Sequence, residues 1–203
     1  MKKIIKNALI LTIITVVSGC LLGLVYEITK EPIAKAQEKA KQQAYKTVLA
    51  EADTFADMTV DVDEAAQILN GAGYTEDDIK GVAEAKDADG ATIGYVVTVT
   101  AHEGYGGDIE ISVGILNDGT VKGIEMLSIS ETAGLGMKAK EPDFKNQFQD
   151  KKVSTFSYTK SGESGDDKID ALSGATITTN AVTNGVNCAL VYFREVLGGG
   201  VNE

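Results

Sequence analysis

Cysteine, histidine and arginine are all scarce in this chain, and each scarcity removes a class of function. Two cysteines, Cys20 and Cys188, are too few for a disulfide framework or for a four-thiolate iron–sulfur centre held by this chain alone. That scarcity assigns no compartment, because 203 residues with 43% hydrophobic content form one core without covalent staples. His102 is the one histidine. No Ser-His-Asp set, zinc-ligand spacing or GK[ST] phosphate loop accompanies it, so neither a catalytic residue nor a metal is expected. Arg194 is the one arginine, which leaves a single bidentate phosphate fork. With 30 acidic against 19 basic groups and a formal charge of −11, the chain repels a phosphate backbone, and nucleic acid is excluded as a partner.

Charge is also missing from one long stretch. Ala8 to Tyr26, ALILTIITVVSGCLLGLVY, holds no charged side chain, and about 20 apolar residues in a helix match a hydrocarbon core of about 30 Å. Lys2, Lys3 and Lys6 precede it, whereas Glu27, Lys30 and Glu31 mix signs behind it. The positive-inside bias therefore predicts a single-pass span of the cell (inner) membrane, embedded in lipid, with the N-terminus cytoplasmic and everything after Tyr26 extracytoplasmic. Val17-Ser18-Gly19-Cys20 also resembles a lipobox, at which cleavage would leave a lipidated Cys20. The apolar continuation Leu21 to Val25 favours the uncleaved helix, since a signal peptide's apolar region is shorter and a lipoprotein continues with a polar tether. Setting the three leading lysines apart leaves 16 of the 19 basic groups against all 30 acidic ones, so the rest of the protein is strongly acidic, at −14.

Beyond the span, Ile33 to Ala50 is rich in Ala, Lys, Gln and Glu and reads as a solvated helix, with Pro32 tolerated near its start. Glu51 to Met58 reads as a connection, and Val62 to Leu69 as a short helix ended by Asn70-Gly71. From Ile79 to Ile129 the apolar period becomes two: Ile109, Ile111, Val113 and Ile115 alternate with Asp108, Glu110, Ser112 and Gly114. Asp89-Gly90 and Asn117-Asp118-Gly119 supply hairpin turns, which predicts a meander of about four strands. Pro142 to Gln149 reads as helical, and Val182, Val186, Ala189, Leu190, Phe193 and Leu197 form the apolar face of a C-terminal helix. The expected fold is α+β: a transmembrane helix and helical stalk, then an antiparallel sheet covered by helices. The expected divisions are an anchor over 1–28, a stalk and linker over 29–58 and an extracytoplasmic domain over 59–203.

Immediately before that last helix stands Asp170-Ala171-Leu172-Ser173-Gly174-Ala175-Thr176. A helix N-terminus offers unpaired N–H groups and a positive dipole end, so a phosphoryl group on Thr176 would be stabilised there. The residues alone equally allow Ser173, Thr176, Thr178 or Thr179 to serve as plain helix caps. The seven residues also fit the pattern Asp, two variable positions, Ser or Thr, Gly, Ala, Thr, the flavinylation signature of FMN-binding domains, and the chain resembles that family. Gly104-Tyr105-Gly106-Gly107-Asp108-Ile109 looks like its glycine turn, and Glu131-Thr132-Ala133-Gly134-Leu135-Gly136 like its flavin-side loop, with Ala133 where members often have proline.

The resemblance, over roughly Ile79 to Leu197, implies FMN joined through a phosphoester to Thr176 at the start of the C-terminal helix. A flavin transferase using FAD as donor would make that bond, with Asp170 in its recognition sequence. It further implies that Ser173, Gly174, Ala175, Glu131, Thr132, Leu135 and Gly136 are flavin neighbours. One span and modest length make the chain similar to G subunits of Rnf complexes, with C subunits of sodium-pumping NADH:quinone reductases as close relatives. The implied function is electron carriage within an ion-translocating ferredoxin:NAD oxidoreductase beside its other membrane and peripheral subunits, with no independent substrate chemistry. A free-standing flavinylated lipoprotein and a flavin-free adhesive or sensory domain are the other classes, and His102 is a candidate for tuning the flavin.

Overall fold

The computed structural model describes residues 1–198, so the last five residues of the expected 59–203 domain lie outside the described part. The chain forms two compact units, Met1–Lys41 and Gln42–Glu203. Helix α1 runs from Lys2 to Val48, and its apolar section is long enough to cross a membrane by length and composition. Thr12, Thr15 and Thr29 donate their hydroxyls to carbonyls one turn back, which removes their polarity from the helix surface.

The second unit is built on a five-stranded antiparallel meander, in spatial order β1(Thr54–Met58), β2(Asp77–Lys86), β3(Thr92–Ala101), β4(Ile109–Leu116), β5(Val121–Ser128). Four of these were expected. The fifth, β1, lies in the segment read as a connection; it is an edge strand with one half-buried and four exposed residues, so no alternation marks it. Helix α2(Val62–Gly71) follows β1. On β4, Ile109, Ile111, Val113 and Ile115 are all fully buried, as their period of two requires.

Both faces of the sheet are covered. The long helix α4(Thr176–Val196) lays Val182, Val186, Ala189, Leu190 and Phe193 against Val82, Val97, Val99 and the β4 isoleucines. The opposite face receives Tyr45 and Val48 from the end of α1 and Leu49 just beyond it, packed on Ala83, Ala85 and Val96. Strand β3 therefore buries consecutive residues from Val96 to Val99, which explains its nearly unbroken apolar run.

Between β5 and α4 the chain makes a 3₁₀ turn over Gly136–Lys140, α3(Pro142–Lys145), a second 3₁₀ turn over Asn146–Phe148, and two three-residue strands, β6(Ser157–Thr159) and β7(Lys168–Asp170), paired in parallel. Phe144, Phe148 and Phe156 stack edge-on with centroids 5.7 and 5.1 Å apart, closing the core under this segment. Asn187 of α4 pins it, accepting from the Phe156 N–H at 2.7 Å and donating to the Phe156 carbonyl at 2.9 Å. This anchoring delivers β7, and the loop after it, to the start of α4.

Candidate functional site

The loop from Asp170 to Ala175 is held at both ends by backbone chemistry. Gln147 Oε1 accepts the Asp170 N–H at 2.6 Å, and the Ala171 N–H donates to the Thr159 carbonyl at 2.9 Å. The Ala175 N–H donates to the Leu172 carbonyl across a four-residue turn whose third residue, Gly174, has φ 75°, a conformation that side chains resist. Thr179 closes the unit, accepting the Leu172 N–H and donating to the Ala175 carbonyl, each at 3.0 Å. Ala175 is thus the residue before the helix, and it offers no side-chain cap. The hydroxyl of Thr176 has no hydrogen-bond partner among the described residues, and Ser173 is exposed, so neither caps α4.

In front of this uncapped terminus lies a cavity of about 530 Å³ lined by Tyr105, Glu131, Thr132, Leu135, Gly136 and Gly174 to Thr178. That volume is in the usual range for small-molecule sites. Three segments far apart in sequence meet here: the glycine turn before β4, the Glu131–Gly136 loop after β5 and the start of α4. Glu131 is 9% exposed, and its Oε1 accepts the Gly106 N–H at 3.1 Å, tying the first two segments together. Gly136 joins the second to the third: a Cβ there would sit 2.5 Å from Thr178 Oγ1 and 2.8 Å from Glu131 Oε2, so only glycine permits the approach.

Of the residues expected at the site, Thr176, Gly174, Ala175, Glu131, Thr132, Leu135 and Gly136 line the cavity; Ser173 does not. Asp170 lies outside it, exposed at the end of β7, and its carboxylate has no partner among the described residues, whereas neighbouring Asp166 and Asp167 pair with Lys151 and Lys168. Tyr105, Ile177 and Thr178 were not expected. Ile177 carries a readable signal, because it is an apolar residue out of phase with the buried face of α4.

His102 does not line the cavity. It bridges Asp108 through Nδ1 at 2.8 Å and Asp78 through Nε2 at 3.1 Å, and these two carboxylates, Asp108 first, hold its pKa above the ordinary value. Cys188 is buried under the sheet and donates to Asp77 Oδ2 at 3.2 Å; burial pushes the thiol far above its ordinary range, so it remains a protonated donor. Among the described residues no group of acidic, cysteine or histidine side chains is arranged to hold a metal.

Two family descriptions match the chain: an FMN-binding domain over residues 104–191 and an RnfG N-terminal region over residues 1–48. Over nearly its full length the chain is 34% identical to the G subunit of the proton-translocating ferredoxin:NAD(+) oxidoreductase complex of Clostridium ljungdahlii, covering 93% of this chain and 91% of that one. It is 33% identical to the G subunit of the ion-translocating oxidoreductase complex of Methanosarcina acetivorans, with 94% and 95% covered. Among solved structures it is similar in fold to the C subunit of the Na(+)-translocating NADH-quinone reductase of Parabacteroides distasonis, with a TM-score of 0.51, 20% identity, and 79% and 94% of the two chains covered.

Proposed function

The chain belongs to the family of G subunits of ion-translocating oxidoreductase complexes, and from that membership we propose that it is the FMN-bearing electron carrier of a membrane-bound ferredoxin:NAD oxidoreductase complex of the Rnf type. The observation that carries the site is the cavity in front of an uncapped 21-residue helix, with the unpartnered hydroxyl of Thr176 on its wall.

The residues present fit FMN. The free N–H groups of the first turn of α4 and its dipole favour a phosphoryl group. Leu135, Ile177 and Tyr105 offer apolar surface for a flat ring, and Glu131, Thr132 and Thr178 offer polar contacts. What FMN supplies when bound is reversible transfer of one or two electrons; the protein supplies attachment, orientation and local charge.

Attachment is through Thr176. Its Oγ would bond to the flavin-side phosphorus of FAD as the bond to the AMP half breaks, with AMP as the leaving group and the hydroxyl proton passing to solvent. A flavin transferase performs the exchange and reads the exposed, unpaired Asp170. Covalent linkage keeps the cofactor next to its redox partners on the outer side of the membrane, where a freely dissociating one would be lost. The N-terminus is cytoplasmic, as Lys2, Lys3 and Lys6 favour. The segment is retained whole as an uncleaved anchor, Cys20 included, because the apolar run continues through Leu21 to Val25 beyond the cysteine. Other subunits of the complex deliver electrons to this carrier, take them from it and couple the transfer to ion movement. The full-length relatives favour this assignment over a C subunit of a quinone reductase, for which the likeness is one of fold.

The test is ultraviolet in-gel fluorescence of the denatured full chain, wild type against Thr176→Val, each coexpressed with a flavin transferase. Fluorescence present in wild type and absent in the variant is expected. Equal bands would move the attachment to another residue, and dark bands in both, with an active transferase, would remove the covalent flavin altogether.

A further inference from the structure

We propose that Tyr105 lies over the bound flavin ring as a stacking lid and that Glu131 sets its position through the Gly106 amide; this rests on the FMN reading of the cavity and names what covers the ring. Among the described residues of the globular unit, six large apolar side chains are exposed: Met58, Val62, Tyr105, Leu135, Tyr158 and Ile177. Three of them, Tyr105 at 71%, Ile177 at 52% and Leu135 at 41%, stand on the wall of the cavity in front of α4. Scattered exposed apolar groups are ordinary, but convergence of half of them on one concavity marks a surface that a flat apolar ligand would cover.

Tyr105 is the most exposed of the six, and among the described residues it has neither a ring partner nor a hydrogen bond. Its neighbours Gly104, Gly106 and Gly107 have no side chains to shield it. An electron-rich phenol so placed gains by stacking, offset, on an electron-poor isoalloxazine.

The loop is not left to wander. Glu131 Oε1 accepts the Gly106 N–H at 3.1 Å from 25 residues away, and a Cβ on Gly104 would come within 3.0 Å of the same oxygen. The turn therefore rests directly on a buried carboxylate that is itself part of the cavity wall. Glu131 is a positioning residue for Tyr105, acting through the backbone between Gly104 and Gly106.

The experiment uses the full chain, flavinylated by coexpression and purified in detergent. Native flavin emission is divided by the emission of the same sample after denaturation, which counts covalent flavin and removes stacking. Wild type should give a low ratio, because a stacked phenol quenches the flavin. Tyr105→Ala should raise the ratio several-fold, and Tyr105→Trp, which stacks and quenches at least as well, should hold it at or below wild type. Glu131→Gln keeps an oxygen to accept from Gly106 and should stay near wild type, whereas Glu131→Ala should rise with Tyr105→Ala. A Tyr105→Ala ratio equal to wild type, with covalent flavin in both, overturns the lid. A wild-type ratio in Glu131→Ala, with Tyr105→Ala raised, overturns the positioning role. A dark denatured wild type would overturn the FMN reading itself. If Glu131→Ala fails to accumulate, the two variants at exposed Tyr105 still decide the lid.

Discussion

Helices α2 and α4 begin in opposite ways. At α2, Asp61 accepts the N–H groups of both Asp63 and Glu64 at 3.1 Å, and those two acidic residues occupy the first turn. At α4 the preceding residue is Ala175, no side chain caps the helix, the first turn has no acidic residue, and a cavity opens in front of it. A helix start that satisfies its own orphan donors is a structural end; one that leaves them open beside a concavity is prepared for an anion supplied from outside. The same element of secondary structure thus serves stability in one place and the proposed phosphoryl site in the other.

Making α4 resemble α2 should have the largest effect. Ile177 is exposed in the first turn of α4, so Ile177→Glu introduces the missing carboxylate without disturbing the core. The helix should gain about 0.3–1 kcal/mol from its dipole, while covalent flavin under limiting transferase should fall about fivefold, the effect of about 1 kcal/mol of charge repulsion near a phosphate. Stability by denaturant melt and flavin by in-gel fluorescence would move in opposite directions. A variant that gained stability and kept its flavin would show that the open terminus is incidental.

The reciprocal change is smaller and affects one property only. Asp61→Ala removes the α2 cap and should cost about 1 kcal/mol of stability, with no loss of covalent flavin. Thermal unfolding should fall by about 2–4 °C for a unit of this size. A flavin yield that dropped alongside the melting temperature would mean that stability limits flavinylation, and the contrast between the two helix ends would lose its force.

Much of this contrast was legible from residue order, and the reasons for what was not are physical. The alternating isoleucines of β4 announce a strand with one dry face, but Ser112 and Gly114 on the other face are buried as well, the glycine beneath the end of α1, which residue order alone did not reveal. Thr54–Met58 announces nothing, being exposed along nearly its whole length, and β6 and β7 are too short, at three residues each, to show a period. Residue order marked Thr176 and the Glu131–Gly136 loop through a recurring pattern. It could not show that α4 lacks a cap, because Ser173, Thr176, Thr178 and Thr179 were all eligible until Thr179 proved to bond Leu172 and Ala175 instead. Tyr105 enters the cavity by long-range packing of its turn on Glu131, which no local spacing encodes.

His102 gives the smallest predicted effect and separates the glycine turn's stability from its proposed flavin role. Its partners Asp108 and Asp78 raise its pKa in the folded state above about 6.5, the value for an unperturbed side chain. A raised folded value means that the stabilisation is fully present below that unperturbed pKa and is lost as pH rises through the folded one. The side chain is 38% exposed, so solvent screening holds the contribution below about 1 kcal/mol. Wild type should therefore lose a small increment of stability, relative to His102→Gln, as pH is raised from about 5 to about 9, and the two stability curves should converge at the alkaline end. Covalent flavin should be equal in the two proteins, because His102 lies outside the cavity. Parallel curves would mean that the two carboxylates do not hold the imidazole in solution. A flavin yield that followed the histidine would make this end of the turn part of the site, joining two regions that the structure keeps apart.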